Sequence, residues 1–154
     1  MGLTAPRASR FWRRALPAMY AVIGFLDPLI RTEWRASGLG LQNVVELRVV
    51  GRKSGVYRSV LVTVLRDGEH WFLIHPNGEV HWTRNLEAAG TADVAFRGLP
   101  AVAVAARRLE PGEARDRAIR STGQQPFPGN LVYRLARAHI RAVAVIFAID
   151  PISA

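Results

Sequence analysis

Six short β-rich runs, most of them joined by turns of a few residues, restrict the fold of this chain more than any other feature of its sequence. They are VVELRVV at 44–50, VYRSVLVTVL at 56–65, HWFLIH at 70–75, TADVAFR at 91–97, AVAVAARRL at 101–109 and RAVAVIFAID at 141–150. Short connections join antiparallel neighbours, because a parallel crossover needs a dozen or more residues. We therefore predict a small closed or half-open antiparallel barrel with helices plugging its ends.

Four other segments are predicted to be helical. They cover residues 9–36, broken or kinked at Pro17 and Pro28, and residues 80–90, 110–121 and 130–139. A tight hairpin turn is predicted at 66–69, where Asp67-Gly68 favours positive φ. The chain thus divides into an apolar and basic helical segment at 1–40 and a barrel domain at 41–154, in an α+β architecture that is mainly β.

Net charge limits the partners of the chain. The formal charge is +9, of which residues 1–66 carry +8 and residues 67–154 carry +1. Such a field attracts anions, whether nucleic acid, an anionic membrane surface or a phosphorylated small molecule. No nucleic-acid-binding module matches the sequence, and its aromatic residues lie on apolar runs, so no nucleic-acid partner is expected. The chain has no cysteine, which excludes disulfides, thiolate metal sites and a cysteine nucleophile.

The N-terminal segment combines cations with an apolar run. Residues 15–26, ALPAMYAVIGFL, are the longest uncharged stretch and fall short of the roughly 20 residues that a spanning helix needs. They follow four arginines, as in a signal peptide, but no small-x-small cleavage site comes after them. Residues 9–36 are therefore predicted to form a helix that either lies in a membrane interface or packs on the protein core. This interpretation predicts a cytoplasmic location, with peripheral contact to the inner membrane face.

The connection VVGRKSGVYRSV between the first two strands contains more charge than a turn requires. Gly51 and Gly55 allow the backbone to bend tightly, and exposed N–H groups there can approach an anion. Arg52, Lys53 and Arg58 can add charge-assisted hydrogen bonds to phosphate oxygens. The spacing is not that of a Walker loop, and the segment joins two strands rather than opening a helix. An anion-binding loop and a merely solvated turn both fit the pattern.

The stretch HPNGEVHWTRNLEAAG holds the next cluster of polar residues. His75 and His81 lie on either side of a loop with no third ligand in view, so no metal site is expected. Trp82 and Leu86 are one helical turn apart and are expected to face the core. Asn85 is expected to cap or bridge rather than to catalyse.

Taken together, these motifs resemble the deazaflavin-dependent nitroreductase family, which is abundant in actinobacteria. The match covers about residues 47–109 and consists of a G-R-K-[ST]-G-x-x-R loop, a D-G hairpin and a W-x-x-N-L helix, followed by a strand. The motif positions here are Gly51, Arg52, Lys53, Ser54, Gly55, Arg58, Asp67, Gly68, Trp82, Asn85 and Leu86. The resemblance implies a six-stranded antiparallel split β-barrel with peripheral helices, similar to the FMN-binding split barrel.

The resemblance also implies a cofactor and its site. Family members use the reduced 8-hydroxy-5-deazaflavin, coenzyme F-420, as hydride donor to quinones, nitro compounds or activated alkenes. The loop cations would be counter-ions for its phosphate and acidic tail, and backbone groups at 60–63 would lie near its ring. The implied cofactor-binding residues are Arg52, Lys53, Ser54, Gly55, Arg58, Ser59, Val60, Leu61, Val62, Thr63, Asn77, Gly78, Trp82 and Asn85. Tyr133 is either a hydrogen-bond or proton donor to the acceptor or a packed helix residue.

Other interpretations stay open beside this one. A related split barrel could hold FMN or haem, and a non-catalytic module could bind a lipid or a cofactor without turning it over. The apolar N-terminal helix indicates a lipophilic acceptor, such as a quinone or a fatty acyl chain. Related barrels often pair across their sheets, so a homodimer is an alternative to a monomer.

Overall fold

The computed structural model describes residues 7–25, 29, 32, 43–127 and 129–153 and contains a closed six-stranded barrel. The strands are β1 Val44–Val50, β2 Tyr57–Asp67, β3 His70–His75, β4 Thr91–Ala95, β5 Val102–Arg108 and β6 Val145–Pro151. They pair antiparallel in the order β1–β2–β3–β6–β5–β4, and β4 closes the barrel on β1. The six-stranded antiparallel barrel predicted from the sequence is therefore confirmed.

Alternation along the strands separates an inner face from an outer face. In β1, Val45, Leu47 and Val49 are fully buried, and the residues between them are half-buried or exposed. β2 contributes Val62 and Val64 to the same barrel core. Because side chains alternate between the faces of a strand, a register slip of one residue would turn this apolar set to solvent.

Helices close the barrel interior and cover one side of the sheet. The helices whose bounds the structure describes are α1 Arg7–Phe25, α2 His81–Ala89, α3 Glu113–Ser121, α4 Gly129–Leu135 and α5 Arg137–Val143. α2 packs against β1, and its Leu86 is fully buried in the barrel core. On the outer face of the sheet, Ile119 of α3 and Ile140 of α5 join Leu65 of β2 in a second apolar cluster, which we call the outer cluster.

α1 packs on the helical side of the barrel. Leu16 is almost fully buried, and Trp12 packs against the outer cluster beside α5. Arg10 and Phe11 are exposed on another side of the helix. The described part of the N-terminal helix therefore packs on the protein, which is one of the two alternatives drawn from the sequence, whereas membrane contact through residues 9–36 stays a prediction.

The N-terminal helix also differs from its predicted form. Of the predicted break or kink at Pro17, the break is wrong, because α1 runs through this residue although a proline removes one backbone hydrogen bond. The packing of the neighbouring Leu16 stabilises the helix at this point. Pro28 and most of the predicted continuation to residue 36 lie outside the described residues. No helix in the described part of the chain is long and apolar enough to cross a membrane.

The hairpin between β2 and β3 is shifted by one residue from its predicted position. β2 extends to Asp67, which pairs with His70, so the turn consists of Gly68 and Glu69. Gly68 has a φ of 60°, a conformation that glycine adopts at little cost at the first position of a two-residue turn.

The C-terminal helix and strand also have other bounds than predicted. The helix expected at 130–139 is two helices, α4 and α5, separated by Ala136, and α5 extends to Val143. β6 consequently begins at Val145 instead of residue 141. The sequence RAVAV has β propensity, but Ile140 and Ala144 pack in the outer cluster, and this tertiary burial decides its conformation.

Candidate functional site

A groove opens where β1 ends, β2 begins and the first turn of α2 crosses the end of the barrel. Its volume is about 600 Å³. It is lined by Val49, Gly51, Arg52, Lys53, Ser54, Arg58, Val60, Val80, His81, Trp82 and Asn85. The cations come from the β1–β2 loop and the start of β2, whereas most of the apolar surface comes from β1, β2 and α2. We call this feature the cationic groove.

The β1–β2 loop has a compact, internally bonded backbone. The Gly51 N–H donates to the Val56 carbonyl at 2.8 Å, and the Gly55 N–H donates to the Gly51 carbonyl at 2.8 Å. Gly55 has a φ of 66°, which favours glycine. A Cβ added at Gly51 would lie 2.7 Å from Ser54 Oγ and 3.1 Å from the Val56 carbonyl oxygen. The two glycines therefore set the shape of the loop that carries Lys53. Their N–H groups bond within the loop and do not face an anion as predicted from the sequence, and Gly55 is not among the residues that line the groove.

Asn85 fastens the loop to α2. Its side-chain oxygen accepts hydrogen bonds from the Arg52 N–H at 3.2 Å and from Arg52 Nη1 at 2.9 Å. Asn85 is only 7% exposed, so these bonds satisfy a polar atom that water reaches poorly. Asn85 thus bridges helix and loop, as the sequence predicted, and it orients Arg52 beside the groove.

The N-terminal turn of α2 supplies an apolar wall. The Val80 N–H donates to Thr83 Oγ1 at 2.9 Å, and this hydroxyl donates back to the Val80 carbonyl, which fixes the start of the helix. Trp82 is half-buried, with its ring centroid 6.2 Å from those of His75 and Phe147. Because contacts with the core hold the Trp82 ring while it also lines the groove, it offers a planar apolar surface to a ligand.

The groove carries positive charge that the described residues do not neutralise. Its three cations form no ion pair with any carboxylate in the described part of the chain. Glu79, which precedes α2, is held instead by Arg108 at 2.7 Å and by Arg84 at 3.1 Å. Hydrogen bonds from Arg108 and then Arg84 lower the pKa of Glu79, so this carboxylate stays ionised and paired away from the loop. The groove is therefore suited to anions.

The predicted site residues on β2 lie on two opposite faces of this strand. Val60 lines the groove, and Val62 is buried in the barrel core. The outer face carries Ser59, Leu61 and Thr63. The Ser59 hydroxyl donates to the Glu46 carboxylate of β1. The structure therefore does not bring the side chains at 59, 61 and 63 into the groove.

Asn77 and Gly78 lie in the turn after β3 and do not line the groove. Asn77 Oδ1 accepts a hydrogen bond from His139 Nε2 at 2.8 Å, and the Gly78 carbonyl accepts one from His75 Nδ1 at 2.9 Å. Burial lowers the pKa of both histidines, and the charge of Arg13 further lowers that of His139. In this structure Asn77 and Gly78 therefore connect the end of β3 to α5.

Tyr133 lies on α4 against the outer face of β2, away from the groove. Its hydroxyl is hydrogen-bonded to the Thr63 side chain, and its ring packs against the outer cluster. Burial around the hydroxyl raises the pKa of Tyr133 to about 12, although the hydrogen bond to Thr63 acts in the opposite direction. Within one chain, this geometry favours Tyr133 as a packed helix residue over Tyr133 as a donor to an acceptor in the groove.

Tyr133→Phe is expected to lower the free energy of unfolding by about 1 kcal/mol, the net value of one hydrogen bond, without changing ligand affinity in the groove. The pKa of Tyr133 is higher in the folded than in the unfolded chain. The stabilisation that its neutral hydroxyl provides is therefore fully present below the unfolded pKa of 10.0 and is lost as the pH rises towards about 12. Ultraviolet titration of the phenolate in wild type and variant checks this assignment. Ionisation of Tyr133 below pH 10 in the folded protein would contradict it.

The structure adds residues to the groove that the sequence did not identify as a site. They are Val49, Val80 and His81. Val49 pairs with Arg58 in the β1–β2 register, so strand alternation could have identified it. His81 begins α2, and its spacing from His75 predicts no metal site. In the described part of the chain, no group of three or more His, Cys, Asp or Glu residues could hold a metal ion.

Comparison with known proteins shows which fold the chain shares. No protein-family model and no curated protein matches it. Among solved structures, an F-420-H2-dependent reductase, FDR-A, is 22% identical, with a TM-score of 0.54 over 71% of this chain and 95% of that chain. HutZ, a haem storage protein from Vibrio cholerae, is 18% identical, with a TM-score of 0.52 over 84% and 92% of the two chains. A structure described as a domain-swapped dimer is 20% identical, with a TM-score of 0.53 over 87% and 99%.

Likeness at this level of identity establishes the fold. The chain is a split β-barrel protein, as the resemblance drawn from its sequence motifs implied.

Proposed function

We propose that the chain is an oxidoreductase that binds the deazaflavin coenzyme F-420 in the cationic groove. The observation that carries this proposal is the presence, in one groove, of three cations without carboxylate partners among the described residues and of an apolar wall formed by Trp82. A cofactor with an anionic tail and a planar ring matches both surfaces. The sequence motifs and the likeness to an F-420-H2-dependent reductase support the proposal.

The residues of the groove fit such a cofactor. Lys53 and Arg58 would bind phosphate or carboxylate oxygens through charge-assisted hydrogen bonds. Arg52 gives Nη1 to Asn85 and keeps its other guanidinium nitrogens for the tail. The Ser54 hydroxyl accepts from the Val56 N–H at 3.3 Å and can still donate its own hydrogen to an anion.

The chain would hold the deazaflavin ring and the acceptor in position and exclude water from them. When bound, a reduced deazaflavin supplies a hydride from C5 of its ring to an electrophilic acceptor. Trp82 and Val60 would cover part of the ring surface, and the cations would hold the tail, so that the ring is presented in one orientation. We propose a quinone, a nitro compound or an activated alkene as acceptor, with a lipophilic one favoured by the apolar residues Val49, Val60 and Trp82 that line the groove.

Titration with the oxidised deazaflavin and with FMN, side by side, tests the proposal. We expect the deazaflavin to bind at least about tenfold more tightly, because its acidic tail adds charge-assisted contacts worth about 1.5–3 kcal/mol each. Oxidation of the reduced deazaflavin by a quinone, a nitroarene and an enone then tests catalysis. Absence of deazaflavin binding would contradict the proposal, and binding without oxidation by any acceptor would indicate a non-catalytic module.

Haem is a second candidate ligand, and His81 is the observation that favours it. The side chain of His81 is exposed and lines the groove. Histidine is a common axial ligand of haem iron, and the loop cations could pair with the haem propionates. The likeness to HutZ supports this candidate as well.

His81→Ala separates the two candidates. We expect the variant to bind the deazaflavin within about threefold of the wild-type affinity, because an exposed side chain outside the cationic contacts contributes little. A haem protein would behave differently, since removal of the axial imidazole would abolish the Soret shift that hemin undergoes on binding. Tight hemin binding by the wild type that is lost in His81→Ala would favour haem over the deazaflavin.

We also propose a homodimer as the state in solution, supported by the neighbour described as a domain-swapped dimer. Sedimentation velocity of the purified chain over a range of concentrations tests this proposal. A monomer at all concentrations would contradict it.

A further inference from the structure

The helical side of the molecule exposes large apolar residues next to arginines. Phe127 is 77% exposed, Leu131 44% and Leu135 63%. Leu131 and Leu135 are one turn apart on α4 and therefore lie on the same stripe of that helix. Phe127 and Leu131 also line a shallow surface cavity of about 380 Å³ together with Arg134 and Arg137. We call the surface formed by these five residues the α4 face.

α1 carries a similar combination of apolar and basic residues. α1 and α4 both contact α5, and Trp12 of α1 and Tyr133 of α4 pack against the same outer cluster, so the two helices lie on one side of the barrel. Phe11 of α1 is 63% exposed and stands between the exposed Arg10 and Arg14 along the chain. An apolar ring flanked by cations thus recurs on the neighbouring helix.

The charge carried by α1, α4, α5 and residues 122–128 has one sign, which is positive. Residues 7–25 and 122–144 contain seven arginines and no Asp or Glu, so the two stretches carry +7 of the net +9. The one histidine in them, His139, is buried and has a lowered pKa, so it adds no charge near neutral pH. The carboxylates of the described ion pairs lie outside the two stretches, at residues 67, 69, 79, 87 and 113, of which Glu113 belongs to the neighbouring helix α3.

We propose that the α4 face, with the exposed side of α1, docks on an anionic membrane surface. Clustered apolar side chains in contact with water mark interaction sites, and an amphipathic surface rich in arginine is the kind that anionic lipid headgroups attract. Phe127, Leu131 and Leu135 would enter the headgroup region while Arg134 and Arg137 pair with lipid phosphates.

A second copy of the chain is a poorer occupant of the α4 face. A symmetric contact brings the same residues of two copies together. The arginines of the two stretches would then face one another with no carboxylate of those stretches to pair with, and such like-charge contacts are unfavourable. Charge complementarity therefore selects an anionic lipid surface.

Co-sedimentation of the full chain with vesicles tests the proposal. We expect binding to vesicles of phosphatidylglycerol and phosphatidylcholine at low salt, little binding to phosphatidylcholine alone, and release at high salt. The double variant Arg134→Gln/Arg137→Gln should lower the partition coefficient about 25-fold, at about fivefold for each arginine near the surface. Phe127→Ser/Leu135→Ser should lower it about tenfold.

Matched controls lie outside these helices. Leu99→Ser removes an apolar side chain that is 65% exposed in the β4–β5 turn, and Arg120→Gln removes an exposed arginine of α3. We expect both controls to bind vesicles like the wild type. Circular dichroism of each variant shows whether the fold is kept.

Three results would overturn the proposal. The first is equal binding to anionic and neutral vesicles, or binding to neither. The second is unchanged binding of either double variant. The third is a dimer in sedimentation velocity that disappears in Phe127→Ser/Leu135→Ser, since a second copy would then cover the α4 face. The proposal does not depend on the cofactor. The α4-face variants should keep the wild-type affinity for the deazaflavin, so failure of this inference and failure of the proposed function are distinguishable.

Discussion

Replacing Lys53 and Arg58 together with alanine is expected to weaken deazaflavin binding by at least about a hundredfold. Each cation would make a charge-assisted hydrogen bond to an ionised group of the tail, worth about 1.5–3 kcal/mol, or roughly tenfold or more in affinity. Both side chains are exposed, and neither forms an ion pair with a described carboxylate. The free energy of unfolding should therefore change by no more than about 0.5 kcal/mol.

Fluorescence titration of the deazaflavin measures this effect. Arg120→Ala, on the exposed surface of α3, is the matched control and should keep the wild-type affinity. Arg52→Ala with Lys53→Ala is also predicted to weaken binding substantially, but Arg52 bonds to Asn85, so that pair also disturbs the anchor of the loop. Equal affinity for wild type and Lys53→Ala/Arg58→Ala would count against the assignment of the groove.

Asn85→Ala is expected to lower both stability and cofactor affinity. Removing the buried acceptor leaves the Arg52 N–H and guanidinium without their partner, which costs about 1–3 kcal/mol of unfolding free energy. The loop is then less well ordered before binding, and we expect about a tenfold loss of affinity, because its side chains must be immobilised when the ligand binds. Urea denaturation and deazaflavin titration measure the two effects separately.

Asn85→Asp is the matched variant for this prediction. It keeps an oxygen acceptor for Arg52, so the free energy of unfolding should stay near that of the wild type. It also adds a negative charge to the groove, so affinity for an anionic cofactor should fall at least as far as in Asn85→Ala. Wild-type affinity in both variants would show that the loop anchor has no part in binding.

Most of the barrel could be predicted from the sequence because its signals are local. Short β-branched runs separated by glycine turns define antiparallel strands, and all six appear in the structure. The bounds of helices and strands could not be predicted where contacts between residues far apart in the sequence decide them. Helix α5 continues through residues with β propensity because Ile140 and Ala144 are buried in the outer cluster.

The candidate site could be predicted in part. The β1–β2 loop and the α2 motif meet in one groove, since Asn85 bonds to Arg52 across 33 positions of sequence. The sequence alone could not tell which face of β2 lies on the side of the cations, because both faces carry apolar residues: Val62 is buried in the barrel core and Leu65 in the outer cluster. Thr63 and Tyr133 lie on the outer face, away from the cations.

A crystal structure of the chain with the oxidised deazaflavin is the decisive test of the cationic groove as the cofactor site. We expect phosphate or carboxylate oxygens of the tail at about 3 Å from Lys53 Nζ and from the Arg58 guanidinium. We also expect the ring in contact with Trp82. A ligand bound on another face of the barrel, with both cations pointing into solvent, would contradict this assignment.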